Sequence, residues 1–301
     1  MKTWDIVPGD MANPREIHRR IRAVNNTRQI TRAMELVART KMYRTQQQAR
    51  AARPYSETLT ELLRRVVQGG ADGEFESPLL KKRPVRRILM MCFSADRGLC
   101  GGYNSNVLKR AEREMHAAMQ GAEVDLITVG RRGRDYFRWR DVDLFDEFIN
   151  IGEEADLGLA RTLGRTATRE YSAERVDEIR LIYTHFASVF SHPVEVFRLL
   201  PLAAPAAEGK RASGLYLHEP SAETIFTRLL PRFIENSMFR VLSEAKAAEH
   251  AARVTAMKSA TDNAGDLIED LTREYNRARQ TVITREISEI ASGAESMAQS
   301  R

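Results

Sequence analysis

Two long stretches almost free of helix breakers, one toward each end of the chain, constrain its fold more than any other feature. From Arg15 to Arg53 there is neither Gly nor Pro, and from Arg232 to Ser292 there is one Gly, Gly265, and no Pro. A start signal precedes the first stretch: Asn13 can cap, Pro14 suits the first helical position, and Glu16 sits three residues after the cap. Its apolar residues fall at Ile17, Ile21, Val24, Ile30, Met34 and Val37, with Thr27 in the gap. That spacing predicts one narrow seam on a helix of roughly 58 Å. Pro54 is expected to interrupt it, with a second helical stretch running to Gln68 before Gly69-Gly70.

The C-terminal stretch opens near Ser221 and Glu223, with a kink expected at Pro231. Small and apolar residues recur at three/four spacing at Ala260, Ala264, Leu267, Leu271, Tyr275, Ala278, Val282, Ile287 and Ile290. Unbroken, it would exceed about 90 Å, far beyond the usual helix of about 11–12 residues. Two such helices with narrow seams predict an antiparallel coiled coil; the alternative is a compact bundle divided by kinks.

The residues between them follow another rhythm. Ile88–Phe93 is a short apolar run followed by a Gly-rich turn and a helical stretch from Asn106 to Met119. Val124–Val129 reads as a strand, Arg131–Arg138 as a short helix, and Asp141–Ile149 as another strand. Glu153–Tyr171 reads as a helix, and Ile179–Phe186 and Val194–Leu200 as further strands. Strand and helix in alternation predict an α/β layer with a mainly parallel sheet. Gln68–Ser77 and Ala203–Ser213 read as loops.

Charge is unevenly placed. Residues 14–68 hold 13 Lys and Arg against 4 Asp and Glu, a local +9, while the whole chain is +6. A basic helix face serves an anionic or acidic partner, or is simply a solvated surface. No apolar run approaches the length of a membrane span. Residues 1–13 have neither the apolar core of a signal peptide nor an Arg-rich amphipathic character. Two cysteines, Cys92 and Cys100, make no disulfide framework and no cysteine zinc site.

No catalytic constellation is legible. The Gly-rich segment from Ser94 to Asn104 lies between a strand and a helix, as phosphate loops do, but matches neither the Walker pattern nor the dinucleotide fingerprint. Its glycines fit a tight turn and close packing of helix on strand, and Cys100 reads as a buried, inert thiol. His185 and His192 flank a turn with no triad around them. Asp262, Asp266, Glu269, Asp270 and Glu274 lie at helical spacing with Arg273 and Arg277 in reach, which reads as a salt-bridged face rather than a metal face. A basic coiled-coil nucleic-acid binder and a nucleotide-dependent enzyme stand as rival readings; the first lacks stacking aromatics and any recognition motif.

Several segments resemble the gamma-subunit family of F-type ATP synthases. They are Ile30–Ala38 (ITRAMELVA) with Lys41-Met42; Arg53-Pro54-Tyr55; Ser94–Asn106 (SADRGLCGGYNSN); Glu249–Arg253 (EHAAR); Met257–Ala264 (MKSATDNA); Tyr275–Gln280 (YNRARQ); and Ile283–Ile290 (ITREISEI). The similarity runs from about Pro14 to Gly293. It implies a shaft of two antiparallel terminal helices, residues 14–68 and 221–293, around a Rossmann-like α/β foot of residues 78–215. It also implies no bond chemistry and no cofactor or metal in this chain. The shaft would turn inside a ring of alpha and beta subunits, touch the epsilon subunit and the membrane c-ring, and sit peripherally on the cytoplasmic side of the plasma membrane, without nucleic acid.

Residue by residue, the resemblance assigns Met34 to face an acidic lever loop of the beta subunit, with Arg32, Lys41 and Arg44 adding positive charge nearby. Arg253, Gln280, Thr284, Glu286 and Glu289 match positions that contact the catalytic subunits or couple to the region of Met34. Tyr216, His218 and Glu219 fall where the foot would meet the membrane ring and epsilon. The chain departs from the family pattern at Arg39-Thr40, Tyr43, His218 and Arg285.

Overall fold

The computed structural model describes residues 13–69, 79, 83–201 and 222–299. Tyr216, His218, Glu219 and the loop expected at Ala203–Ser213 lie outside them. The elements run α1 (Pro14–Gly69), β1 (Arg87–Phe93), α2 (Tyr103–Ala118), β2 (Glu123–Val129), α3 (Arg131–Arg138), β3 (Asp146–Phe148), α4 (Leu157–Ser172), β4 (Glu178–Thr184), β5 (Val194–Leu200) and α5 (Ala222–Gln299). Among the described residues no helix is long and apolar enough to cross a membrane. The chain divides into two compact units, one formed by residues 1–35 with 257–301 and the other by 36–256.

In the first unit the ends of α1 and α5 run antiparallel. His18 stacks near Tyr275, Arg28 lies against Gly265, and Thr31 meets Thr261, so each step up α1 is matched by an equal step down α5. The Thr31 and Thr261 hydroxyls are 2.8 Å apart and mostly buried, one donating to the other. This polar pair fixes the register of a seam whose other buried residues include Ile17, Met257, Ala264 and Leu271.

The seam departs from the expected one. Ile30 is 60% exposed and Val37 54%, whereas Thr31 and Ala38 are buried. Along α1, buried or half-buried positions recur at 17, 21, 24, 31, 35, 38, 42 and 45, with half-buried 34 and 41 beside them; with exposed Arg28 in the gap the recurrence alternates by four and three, the 3.5-residue period of a supercoiled pair. On α5 the same period runs through Met257, Thr261, Ala264, Ile268, Leu271, Tyr275, Ala278 and Val282, leaving Leu267, Ile287 and Ile290 exposed. Choosing apolar residues picked the wrong face locally, because small Thr and Ala let two helices approach.

Pro54 does not end α1, which continues to Gly69. The ring sits on the solvent side. Beyond it, Leu59 and Leu63 are buried and the Ser56 hydroxyl accepts from Asn236 at 2.8 Å, so packing outweighs the lost backbone bond. Pro231 is likewise inside α5.

The second unit is a five-stranded sheet ordered β3-β2-β1-β4-β5, parallel except for β5. β1 is central and buried along Ile88–Phe93, as a strand covered on both faces must be. Leu89, Met91 and Phe93 pack with α4 and the buried face of α5, including Ile234, Met238 and Val241. Ile88, Met90 and Cys92 pack on the other face with Val107, Ala111 and Met115 of α2 and Phe137 of α3. Two boundaries are tighter than expected. β3 spans three residues rather than Asp141–Ile149. α4 begins at Leu157 because the Asp156 carboxylate accepts from the Gly158 and Leu159 amides and caps it.

Candidate functional site

The Gly-rich segment after β1 is a knot of backbone contacts. Asp96 accepts from the backbone amides of Arg131, Asn150 and Ile151 at 3.0, 3.0 and 2.7 Å, tying three loops at the carboxyl ends of the strands. Ser94 Oγ accepts from Gly133 N at 2.8 Å. Gly130 has φ +105°, and a Cβ there would lie 2.2 Å from the Ser94 carbonyl, so only glycine fits. Gly101, at φ +54°, lies against Ala252 and Ala256 of α5. The close packing expected of helix on strand is therefore, at Gly101, loop on helix. Asn104 accepts from Ala95 N and donates to the Arg97 carbonyl and the Cys100 sulfur, filling this turn with the chain's own groups.

Burial raises the Cys100 thiol above its ordinary value, against a smaller lowering by Arg253. Burial pushes Cys92 up to about 12. Both are protonated thiols packed as small apolar groups. His185 pairs with Glu244 of α5 at 2.7 Å. Arg273 pairs with Asp270 on an exposed face at 2.6 Å, and among the described residues no group of three or more His, Cys, Asp or Glu is placed to hold a metal.

A second cluster lies beneath the knot. Lys246, Glu249, His250 and Arg253 occupy successive positions on the buried side of α5, and all four are buried. The Glu249 carboxylate accepts from Arg253 Nη2 at 2.8 Å and from Lys246 Nζ at 3.1 Å. Arg253 also donates to the Gly98 carbonyl at 3.3 Å and to His250 Nδ1 at 3.2 Å. His250 Nε2 donates to the Glu153 carbonyl at 2.9 Å. The Glu153 carboxylate in turn receives Lys41 of α1 and Arg97 of the Gly-rich loop, each at 3.3 Å. Burial alone would raise the Glu153 carboxyl, but Lys41, His250 and Arg97 together hold it below its ordinary value. An open cleft of about 950 Å³ beside this cluster is lined by Lys41, Arg44 and the 148–156 loop. The arrangement offers no nucleophile paired with a base; it is a clamp of alternating charges joining α1, two loops and α5.

Of the residues expected to matter, Lys41 and Arg253 meet in this clamp through Glu153 and His250. Arg32 and Arg44 are exposed and Met34 is half-buried, all on α1. Gln280, Thr284, Glu286 and Glu289 are exposed near the end of α5, where the Thr284 hydroxyl donates to the Gln280 carbonyl and Arg285 pairs with Glu289 at 3.5 Å. Sequence reasoning missed Glu153, Lys246 and the roles of Glu249 and His250. The spacing 246, 249, 250, 253 was the available signal: four polar residues on one face of a helix that elsewhere buries Ala and Val.

Comparison with known proteins agrees with this architecture. The family described as ATP synthase matches residues 13–297. The ATP synthase gamma chain of Pelotomaculum thermopropionicum is 44% identical over 284 residues, covering 94% of this chain and 99% of that one. That of Desulfitobacterium hafniense is 43% identical over 288 residues, covering 95% and 100%. Among solved structures, a chain of the Euglena gracilis mitochondrial ATP synthase (OSCP/F1/c-ring) superposes with a TM-score of 0.66 at 17% identity, covering 94% of each chain. A chain of the Tetrahymena thermophila mitochondrial ATP synthase (central stalk/c-ring) gives 0.59 at 24% identity, covering 77% of this chain and 99% of that one. These two likenesses concern the fold; the full-length identity above 40% and the family match concern descent, and by them the chain belongs to the ATP synthase gamma-chain family.

Proposed function

We propose that this chain is the central rotor stalk of an F-type ATP synthase. It turns inside a ring of alpha and beta subunits and couples ion flow through the membrane c-ring to ATP synthesis, or hydrolysis, in the beta subunits. In this reading it makes and breaks no bonds. It transmits torque and presents a different face to each beta subunit in turn, so that ADP is converted to ATP under a proton gradient. The observation that carries the reading is the near full-length identity with gamma chains.

Physical features support it. Two antiparallel helices with a polar register lock resist sliding, and the residues outside their seam remain available to partners. Arg32, Met34, Lys41 and Arg44 on α1, with Arg253, Gln280, Thr284, Glu286 and Glu289 on α5, are proposed to contact the catalytic subunits or to position those that do. Tyr216, His218 and Glu219 are proposed to meet the c-ring and the epsilon subunit. The chain is then peripheral, on the cytoplasmic side of the plasma membrane.

Co-purification tests the reading. A tagged chain is expected to bring down alpha and beta subunits with ATPase activity, and in membranes the epsilon subunit and c-ring as well. A chain that purifies without them, or with nucleic acid released by salt, would overturn it.

A further inference from the structure

The clamp contains one imidazole, that of His250. His250 is fully buried. Its hydrogen bonds fix its form: a carbonyl oxygen only accepts, so Nε2 at 2.9 Å from the Glu153 carbonyl carries the proton. A guanidinium only donates, so Nδ1 at 3.2 Å from Arg253 is the bare nitrogen. Only the contact with Arg253 requires a neutral imidazole, since Nε2–H donates to the Glu153 carbonyl in either form. A second proton would set an N–H against the Arg253 N–H and two positive charges side by side.

We propose that His250 is a proton-sensitive positioning residue, which when neutral accepts from Arg253 and holds it, and when protonated releases Arg253 and, its Nε2–H still on the Glu153 carbonyl, draws the Glu153 carboxylate away from Lys41 and Arg97. The carboxylate is already in range, its Oε2 4.0 Å from Nε2. From its own helix His250 faces Arg253 and Lys246, which oppose protonation, and Glu249, which favours it. From the 148–156 loop the Glu153 carbonyl, accepting from Nε2, favours protonation, and the Glu153 carboxylate bonds Lys41 of α1 and Arg97 of the Gly-rich loop. Burial is the largest influence and holds the His250 pKa below the usual 6.5. The sign follows: the clamp's contribution to stability is complete above about pH 6.5 and is lost as pH falls through the lower, folded value. His250→Gln preserves both hydrogen bonds, the amide oxygen accepting from Arg253 and the amide nitrogen donating to Glu153, and carries no charge at any pH.

The full chain, wild type and His250→Gln, is examined between about pH 5 and 8 by imidazole-carbon NMR and by thermal unfolding. The expected result is a His250 resonance titrating below 6.5, and an unfolding midpoint that falls toward acid more steeply in wild type than in the variant. Equal slopes, or a His250 titrating at or above 6.5, overturn the proposal. Should the variant not fold, the wild-type titration alone decides. The functional consequence rests on the rotor reading: in assembled complexes, the ratio of ion pumping to ATP hydrolysis is expected to fall at the acid end in wild type and to stay level in His250→Gln. Matching profiles overturn the positioning role. Failure to assemble with alpha and beta counts against the rotor reading, and the measurements on the free chain still decide for or against the titration of His250.

Discussion

In the paired helical ends burial falls on about two residues per seven, whereas in the domain of residues 36–256 whole strands are covered on both faces. The seam of the ends is small and partly polar, with Thr31 and Thr261 in contact and Ile17 and Leu271 as its buried branched aliphatic side chains. The domain buries Tyr171, Tyr183, Phe93 and Phe137 together with the ionic clamp. A narrow seam is stabilised mainly by register, and it leaves most of each helix surface free. A thick core is stabilised by area, about 25 cal/mol for each Å² of apolar surface removed from water, and can bear the burial of paired charges. The same α5 does both, with an almost wholly buried run through Ala252 and Val254 and a half-exposed stripe beyond Met257.

The sharpest way to break this comparison is to unbalance the clamp. Glu249→Ala leaves Lys246 and Arg253 as adjacent buried cations without their shared carboxylate. Removing one partner of a buried pair costs about 3–5 kcal/mol, read as a lower denaturant midpoint. The exposed counterpart, Asp270→Ala against Arg273, is expected to change stability by less than about 0.5 kcal/mol. Equal effects would mean the clamp is solvated.

Next come the aliphatic truncations. Leu181→Ala, in the fully buried sheet, is expected to cost about 3–5 kcal/mol, and Leu271→Ala, on the seam, about 2–3, because a two-helix seam collapses more readily around a lost side chain. Leu267→Ala should cost no more than about 0.5 kcal/mol. A Leu267→Ala as damaging as Leu271→Ala would restore the register that the apolar residues alone suggest.

That pair of leucines marks where legibility in the sequence ended. The existence of two long helices was readable because Gly and Pro are missing from them, and the α/β middle because Ile88–Phe93 and Val124–Val129 stand between turn signals. The register was not, since Ile30 is more apolar than Thr31, and Leu267 is no less plausible a seam residue by composition than its neighbour Ile268, which the 3.5-residue period selects. Nor did Pro54 act as a stop, because its consequence depends on packing from Leu59, Leu63 and Asn236. The clamp was the least legible part. Lys41, Arg97, Glu153 and His250 are distant in sequence and only the sheet topology brings them together; charge counting alone treats each as a solvated residue.

A smaller effect concerns Glu153, which is partly exposed. Its depressed carboxyl pKa contributes stability that is present above the ordinary value of 4.5 and lost as pH falls through the folded value. Glu153→Gln should therefore flatten the acid limb of the stability profile below about pH 4.5, and by less than Glu249→Ala alters it at neutral pH, since solvent screens the Lys41 and Arg97 pairs. An unchanged acid limb would mean that those pairs do not form in solution.

The smallest structural change carries the most specific functional expectation. Met34 is half-buried on α1, flanked by exposed Arg32 and, further along, Arg44. Lys41 lies between them, but Glu153 already occupies its ammonium group, so the positive charge a partner would meet on this stretch includes that of Arg32 and Arg44. A methionine is flexible and uncharged and can slide past successive partners without a deep energy well. Met34→Lys leaves the seam intact, because the longer side chain can extend to solvent, and unfolding should shift by less than about 0.5 kcal/mol. If the side chain meets an acidic loop of a beta subunit, the new ammonium group forms an ion pair in one rotary position. A partly desolvated pair worth about 1–3 kcal/mol would hold that position, since each 1.4 kcal/mol is tenfold in a rate. Hydrolysis in inverted vesicles should then persist while acidification per ATP falls. Lowering the charge near Gln280, or loosening packing near Arg253, should restore part of it. An unchanged ratio of pumping to hydrolysis in Met34→Lys would remove Met34 from the contact and leave the two arginines as the residues of α1 to test.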